Sequence, residues 1–146
     1  MNKLLGKLNY KAQRRIAILN PENSFLDSIS PDLGNIIIDK EIDPRCPYNF
    51  ILTFVKTVSD VEQMTPVVLH NLTADGILWF CYPKKSSKKF KSDLSRDQGW
   101  KPLNDSGLYG IRMVSIDDDW SAMRFRNLKY IKPTSKRFPA GNEKNP

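Results

Sequence analysis

The chain has 146 residues, 40 % of them apolar and 27 % charged, a globular composition rather than a disordered or fibrous one. Two cysteines and one histidine exclude a disulfide scaffold and a Cys/His zinc site. With 23 Lys and Arg against 16 Asp and Glu the formal charge is +7, which favours anionic partners.

In chain order, Leu4, Leu5 and Leu8 suit a short amphipathic helix or a docking arm. Residues 15–20 (RIAILN) read as a buried strand, short and apolar, stopped by Pro21. Residues 21–34 are polar and turn-forming around Phe25, Leu26 and Ile29, with room for a short helix. Residues 35–39 (NIIID) form a second strand rich in β-branched side chains. Two prolines make 43–47 a loop. Residues 48–56 (YNFILTFVK) are nearly continuous in apolar side chains, as in a parallel strand covered on both faces.

Ser59 with Glu62 three residues later suits a capping box opening the next helix. Val61, Met64, Val68, Leu69 and Leu72 share its apolar face. Pro66 is expected to kink or break this helix, and Asp75-Gly76 to end it. Residues 76–83 (GILWFCYP) form another buried strand, followed by a lysine-rich loop. A helix is expected within 93–106, weakened by Gly99 and Pro102. Residues 108–116 and 120–131 are strands joined by Asp117-Asp118-Asp119, a connection short enough only for an antiparallel hairpin. The expected domain covers 1–131, and 132–146 reads as a basic, flexible tail.

Strands alternating with helices imply a three-layer α/β architecture. The expected fold is Rossmann-like: a mostly parallel sheet that closes on a C-terminal antiparallel hairpin, the ending seen in Rossmann-like methyltransferases. The segments KLNYKAQRRIAILNPE, YNFILTFVKT, DGILWFCYPKKSSK and VSIDDDWSAMRFR, in this order, resemble an uncharacterised bacterial family, catalogued as a domain of unknown function. Its pattern is a GxLWxxxPKK strand and loop and a closing DxxWSxxRF hairpin. The resemblance covers roughly residues 3–131. It implies a truncated, methyltransferase-like Rossmann fold, and it carries over no activity and no catalytic residue.

The crevice at the carboxyl ends of the strands is where open α/β sheets bind ligands. A nucleotide or S-adenosylmethionine there normally rests on a glycine-rich turn after the first strand. Here that turn is Leu19-Asn20-Pro21-Glu22-Asn23-Ser24, with no glycine between Gly6 and Gly34. No cofactor is therefore expected, although Asn20 and Glu22 are candidates to line a small-ligand pocket. Asn20 and Asn23 serve equally well as turn and cap residues.

The second candidate is the loop of Lys84, Lys85, Lys88, Lys89 and Lys91, with Arg96 close behind. It is placed to hold phosphates, with Tyr82 and Phe90 offering rings to a base. A merely solvated loop has the same composition. Three neighbouring aspartates, 117–119, suit a turn better than a cation site. Trp79, Trp100 and Trp120 read as core. Arg112, Arg124 and Arg126 lie on the terminal hairpin, on an exposed face or edge. His70, near a helix end, has no nucleophile beside it.

These features leave catalysis with little support. The expected function is a non-catalytic binding or accessory domain whose basic loop meets an anionic ligand or nucleic acid. The rivals are a small-ligand protein or enzyme using the crevice, and a protein-interaction module. The cysteines are not in a CxxC pair, there is no signal-peptide core, and the apolar runs fall short of the roughly 20 residues that span a bilayer. A cytoplasmic protein without a membrane partner is expected.

Overall fold

The computed structural model describes residues 3–131. Its elements are α1 (Lys3–Lys7), β1 (Arg15–Leu19), α2 (Asn23–Leu33), β2 (Ile37–Asp39), β3 (Tyr48–Phe54), α3 (Val58–Asn71), β4 (Leu72–Pro83), α4 (Lys101–Asp105), β5 (Leu108–Ser115) and β6 (Trp120–Asn127), closed by a 3-10 turn at Leu128–Tyr130. The expected tail at 132–146 lies outside the described residues. Among the described residues no helix is long and apolar enough to cross a membrane.

The six strands form one sheet in the order β2-β1-β3-β4-β6-β5. β2, β1, β3 and β4 run parallel, while β6 is antiparallel to β4 and β5 to β6. The mostly parallel α/β sheet with a closing antiparallel hairpin is therefore what forms. From β1 the chain adds β2 on one side and β3 on the other, so the strand order reverses between β1 and β3.

The apolar runs of β3 and β4 have their cause in two-sided burial. Along β4, Trp79 and Cys81 join Leu5 and Leu8 and, from α2, Phe25 and Ile29 on one face. Leu78, Phe80 and Tyr82 join Val61 and Val68 of α3 and Leu103 of α4 on the other. Trp79 Nε1 donates to the Leu8 carbonyl at 2.8 Å, which pins the start of the chain to the sheet.

Four local expectations are corrected. The α3 cap is Thr57, not Ser59. Thr57 Oγ1 accepts from the Asp60 amide, and the Asp60 carboxylate accepts from the Thr57 amide. Pro66 does not break α3. Val61, Thr65 and Val68 are buried at helical spacing on both sides of it, and the Thr65 hydroxyl donates to the Val61 carbonyl at 2.6 Å. That packing outweighs the amide that Pro66 lacks.

The third correction concerns Asp75-Gly76, which does not end the helix. β4 already starts at Leu72 and carries Asp75 within it at φ 54°. In the fourth, the helix expected within 93–106 shrinks to α4. Gly99 lies at φ +104°, and a Cβ there would come within 2.3 Å of Leu94 Cδ2, so the chain must turn before α4 begins. Side-chain bonds hold the preceding coil instead. Ser92 Oγ donates to the Lys56 carbonyl at 2.6 Å, Asp93 accepts from the Val58 amide at 2.9 Å, and Trp100 Nε1 donates to the Ser95 carbonyl at 2.7 Å.

Two expected outcomes follow from this packing. Trp79→Phe keeps an aromatic ring, though a smaller one, but strands the Leu8 carbonyl, and should cost at least about 1–3 kcal/mol in urea unfolding, with faster amide exchange across α1. Arg126 donates through Nε and Nη2 to the two oxygens of Asp75, both at 2.7 Å, and this holds the Asp75 carboxyl below the usual carboxylate range. Its contribution is complete above the unfolded pKa of about 4 and is lost as pH falls below that value. Asp75→Asn should therefore flatten the acid limb of the stability profile, and an acid limb identical to wild type would show that the bridge adds nothing.

Candidate functional site

The crevice forms where the strand order reverses, at the carboxyl ends of β1 and β3. Sheets of this kind bind ligands at that point because the loops leaving the two strands diverge to opposite faces. Its volume is about 450 Å³, and it is lined by Asn20, Glu22, Phe54, Lys56, Asp60, Gln63, Met64 and Trp120. That is within the range of small-molecule sites.

Each lining residue has a local reason for its position. Asn20 leaves β1 at φ 54°, a left-handed conformation that asparagine tolerates better than most residues. Its Nδ2 lies 3.8 Å from Met64 Sδ. Glu22 is the N-cap residue of α2, yet its side chain makes no capping bond, which leaves the carboxylate for the crevice. Lys56 follows β3 and places Nζ 3.8 Å from Glu22 Oε1 and 4.8 Å from the Phe90 ring centroid. Asp60 uses Oδ2 to accept from the Lys56 and Thr57 amides at 2.9 and 3.2 Å. That bond ties the β3–α3 turn and leaves Oδ1 for a ligand. Phe54 meets Trp120 edge to face at 5.0 Å and Phe25 at 5.1 Å, so the aromatic part of the lining is braced by α2.

The structure brings together only part of the residues singled out from sequence. Asn20 and Glu22 line the crevice. Tyr82 does not. It lies on the opposite face of β4, 3 % exposed, with its ring edge-on to Trp100 at 5.2 Å and its hydroxyl 3.9 Å from Met113 Sδ. Burial pushes its pKa up to about 12. It has no face left for a base to stack on.

The lysine loop is tied to the hairpin at Lys84 and Ser87. The Lys84 amide donates to the Asp119 carbonyl at 2.8 Å, Lys84 Nζ donates to Ser115 Oγ at 2.6 Å, and Ser87 Oγ donates to Asp119 Oδ1 at 2.8 Å. Phe90 packs on Trp120 at 5.1 Å and turns the loop toward the crevice wall, with Lys89 Nζ 5.3 Å from the Phe90 ring centroid. Lys85 and Lys88 point to solvent. Asp117 is spent on the turn, since its Oδ1 accepts from the amides of Asp119 and Trp120, both at 2.8 Å. His70 Nδ1 lies 2.9 Å from Asn71 Oδ1, at the end of α3 away from the crevice.

Sequence reading missed Phe54, Lys56, Asp60, Gln63, Met64 and Trp120 as crevice residues. A usable signal was present. Lys56-Thr57 directly follows the strongest strand, and whatever follows a central parallel strand sits at its carboxyl end. Trp120 gave no such signal, because only the β4–β6 register places it beside Pro83.

No protein-family model and no curated protein matches the chain. Solved structures match its fold. The ribosomal protein L11 methylase of Lactobacillus delbrueckii subsp. bulgaricus is 11 % identical, with 85 % of this chain and 76 % of that one covered at a TM-score of 0.53. A phosphoethanolamine N-methyltransferase 2 of Haemonchus contortus, in complex with S-adenosyl-L-methionine, is 13 % identical over 85 % of this chain and 35 % of that one, at 0.51. The fibrillarin pre-rRNA processing protein of Methanococcus jannaschii is 13 % identical over 80 % and 67 %, at 0.50. At these identities the likeness is one of fold. It supports the truncated methyltransferase-like architecture, without the narrower resemblance to a family of unknown function. It also corrects the expected non-catalytic accessory domain, because the folds matched include those of methyltransferases, which are enzymes. This chain has the Rossmann-like fold of the methyltransferases, with a six-stranded sheet.

Proposed function

We propose that the chain is an enzyme acting on a small molecule held in the β1–β3 crevice, and that the reaction is methyl transfer. The observation that carries this reading is the lining of the crevice on a methyltransferase-type sheet. Two carboxylates, Glu22 and Asp60, stand against one ammonium, Lys56, beside two aromatic rings, Phe54 and Trp120. An excess of negative charge suits a ligand that bears a cation.

S-adenosylmethionine carries a sulfonium and an ammonium but no phosphate. The glycine-free turn and Pro21 argue against a dinucleotide, whose pyrophosphate needs close backbone approach and amide donors. The turn also departs from the glycine-rich one on which S-adenosylmethionine normally rests, and the acidic lining is what favours a cationic ligand despite it. Glu22 and Asp60 suit its positive groups, and the buried Phe54 and Trp120 present only their edges to the crevice. Bound there, it supplies an electrophilic methyl group. One departure bears on the sugar. Asp39, at the end of β2, bonds Arg15 and Tyr48 near the amino ends of β1 and β3 and is absent from the lining. Recognition of hydroxyls then falls to Asn20 and Gln63.

Thermal unfolding with S-adenosylmethionine, S-adenosylhomocysteine and adenosine tests the reading. A ligand at 100 times its Kd stabilises by about 2.7 kcal/mol. The two charged ligands should raise Tm and adenosine should do so far less. Glu22→Gln, whose only ion pair among the described residues is the 3.8 Å contact with Lys56, should weaken both by about tenfold or more while leaving the unliganded Tm near wild type. An unchanged Tm with millimolar S-adenosylmethionine, or full binding by Glu22→Gln, would overturn it.

A further inference from the structure

The second feature lies on the β5–β6 hairpin. Arg112 on β5 and Arg124 on β6 stand directly opposite each other in the antiparallel register. Like charges placed so are destabilising. The two side chains share a face. Arg124 alternates with Met123 and Phe125, which enter the core under α3 and α4, so it points with Ala122 and Val114 to the other side. Arg126 is on that side too, and Asp75 neutralises it through two bonds. Among the described residues no acid pairs with Arg112 or Arg124.

The pair is therefore two like charges without an ion-pair partner of their own, one of them half-buried, with the Asp75 carboxylate the nearest opposing charge acting on Arg124. Arg112 is exposed, and Arg124 is partly buried with an Nε that has no acceptor. Burial and the charges of Arg126 and Arg112 lower the Arg124 pKa, against the opposing pull of the Asp75 carboxylate. The free protein thus bears a repulsion that a suitable anion would relieve. The patch is separate from the crevice: Arg124 pairs with Trp79 midway along β4, and Asp75 lies near the amino end of that strand, whereas Trp120 and Phe54 are at the carboxyl ends.

We propose that Arg112 and Arg124 form a binding site for a doubly charged phosphate group on a small molecule, whose oxygens accept from both guanidiniums. Opposed side chains of an antiparallel pair have Cβ atoms roughly 4.5–5.5 Å apart, close enough for two long side chains to converge on one group. The planar guanidinium fork matches phosphate oxygens pairwise. A dianion cancels the charge of the pair. A nucleic-acid backbone carries one charge per phosphate and needs a continued basic track, but the next cation on this face, Arg126, is already paired.

The test follows the Arg Nε–Hε resonances of the full chain during titration with inorganic phosphate and with glycerol phosphate, at pH 7.5 and constant ionic strength against chloride. The Arg124 resonance should move and saturate. Binding should weaken at pH 5, where the phosphate is largely a monoanion. Arg112→Gln should melt higher than wild type without phosphate, because the opposed charge is gone, and should bind phosphate at least tenfold more weakly. Arg112→Lys, which keeps the charge and loses the fork, should fall between. A shift that does not saturate, equal affinity in wild type and Arg112→Gln, or a single-stranded oligonucleotide that binds this face more tightly than glycerol phosphate would each overturn the proposal.

Discussion

Burial of β4 on both faces is the constraint on which the rest of the structure depends. Leu78, Trp79, Phe80 and Cys81 are fully buried, and they face two different cores in alternation. Such a strand tolerates no uncovered side, so helices must pack on both. α1 and α2 cover one face and α3 and α4 the other. Trp79 reaches back to the Leu8 carbonyl, and Trp100 closes over Phe80, Tyr82 and Phe125 at 5.1–6.0 Å between ring centroids. The position of every other element follows from the need to cover this strand.

The same constraint separates the molecule's two polar regions. Parallel strands β1 and β3 send their connections to opposite faces, which opens the crevice at their carboxyl ends. The antiparallel β6 then brings Trp120 to that end and carries Arg124 and Arg126 away from it. One end of the sheet thus has an acidic and aromatic lining, and one face of the hairpin has paired arginines. A single hairpin contributes to both, since Trp120 and Arg124 are only four residues apart on β6.

Parts of the site were legible for a simple reason. Asn20 and Glu22 follow the first strand, and the turn after a first parallel strand lies at the crevice whatever the rest of the chain does. Tyr82 misled because it also lies near a carboxyl end. The face it points to is set by side-chain alternation along β4, which puts Tyr82 with Leu78 and Phe80 in the core under α3 and α4. The ties of the lysine loop were not legible, because composition shows charge but not partners. Ser115 and Asp119, which bind it, lie about 30 residues further along the chain.

Local chemistry alone determined the strand identities, the order of elements, the antiparallel hairpin at 117–119 and the glycine-free turn at 20–24. Each depends on neighbouring residues or on side-chain period. Long-range packing decided the rest. It carried α3 through Pro66, because buried residues on both sides of the proline outweigh one lost hydrogen bond. It confined α4 to five residues, because bonds to Lys56 and Val58 hold residues 92 and 93 in the coil before it. It also brought Lys56, Asp60 and Trp120 to one crevice and set Arg112 opposite Arg124. Those juxtapositions come from strand register and crossover, which join residues 12 to 64 positions apart, and no local pattern in the chain encodes them.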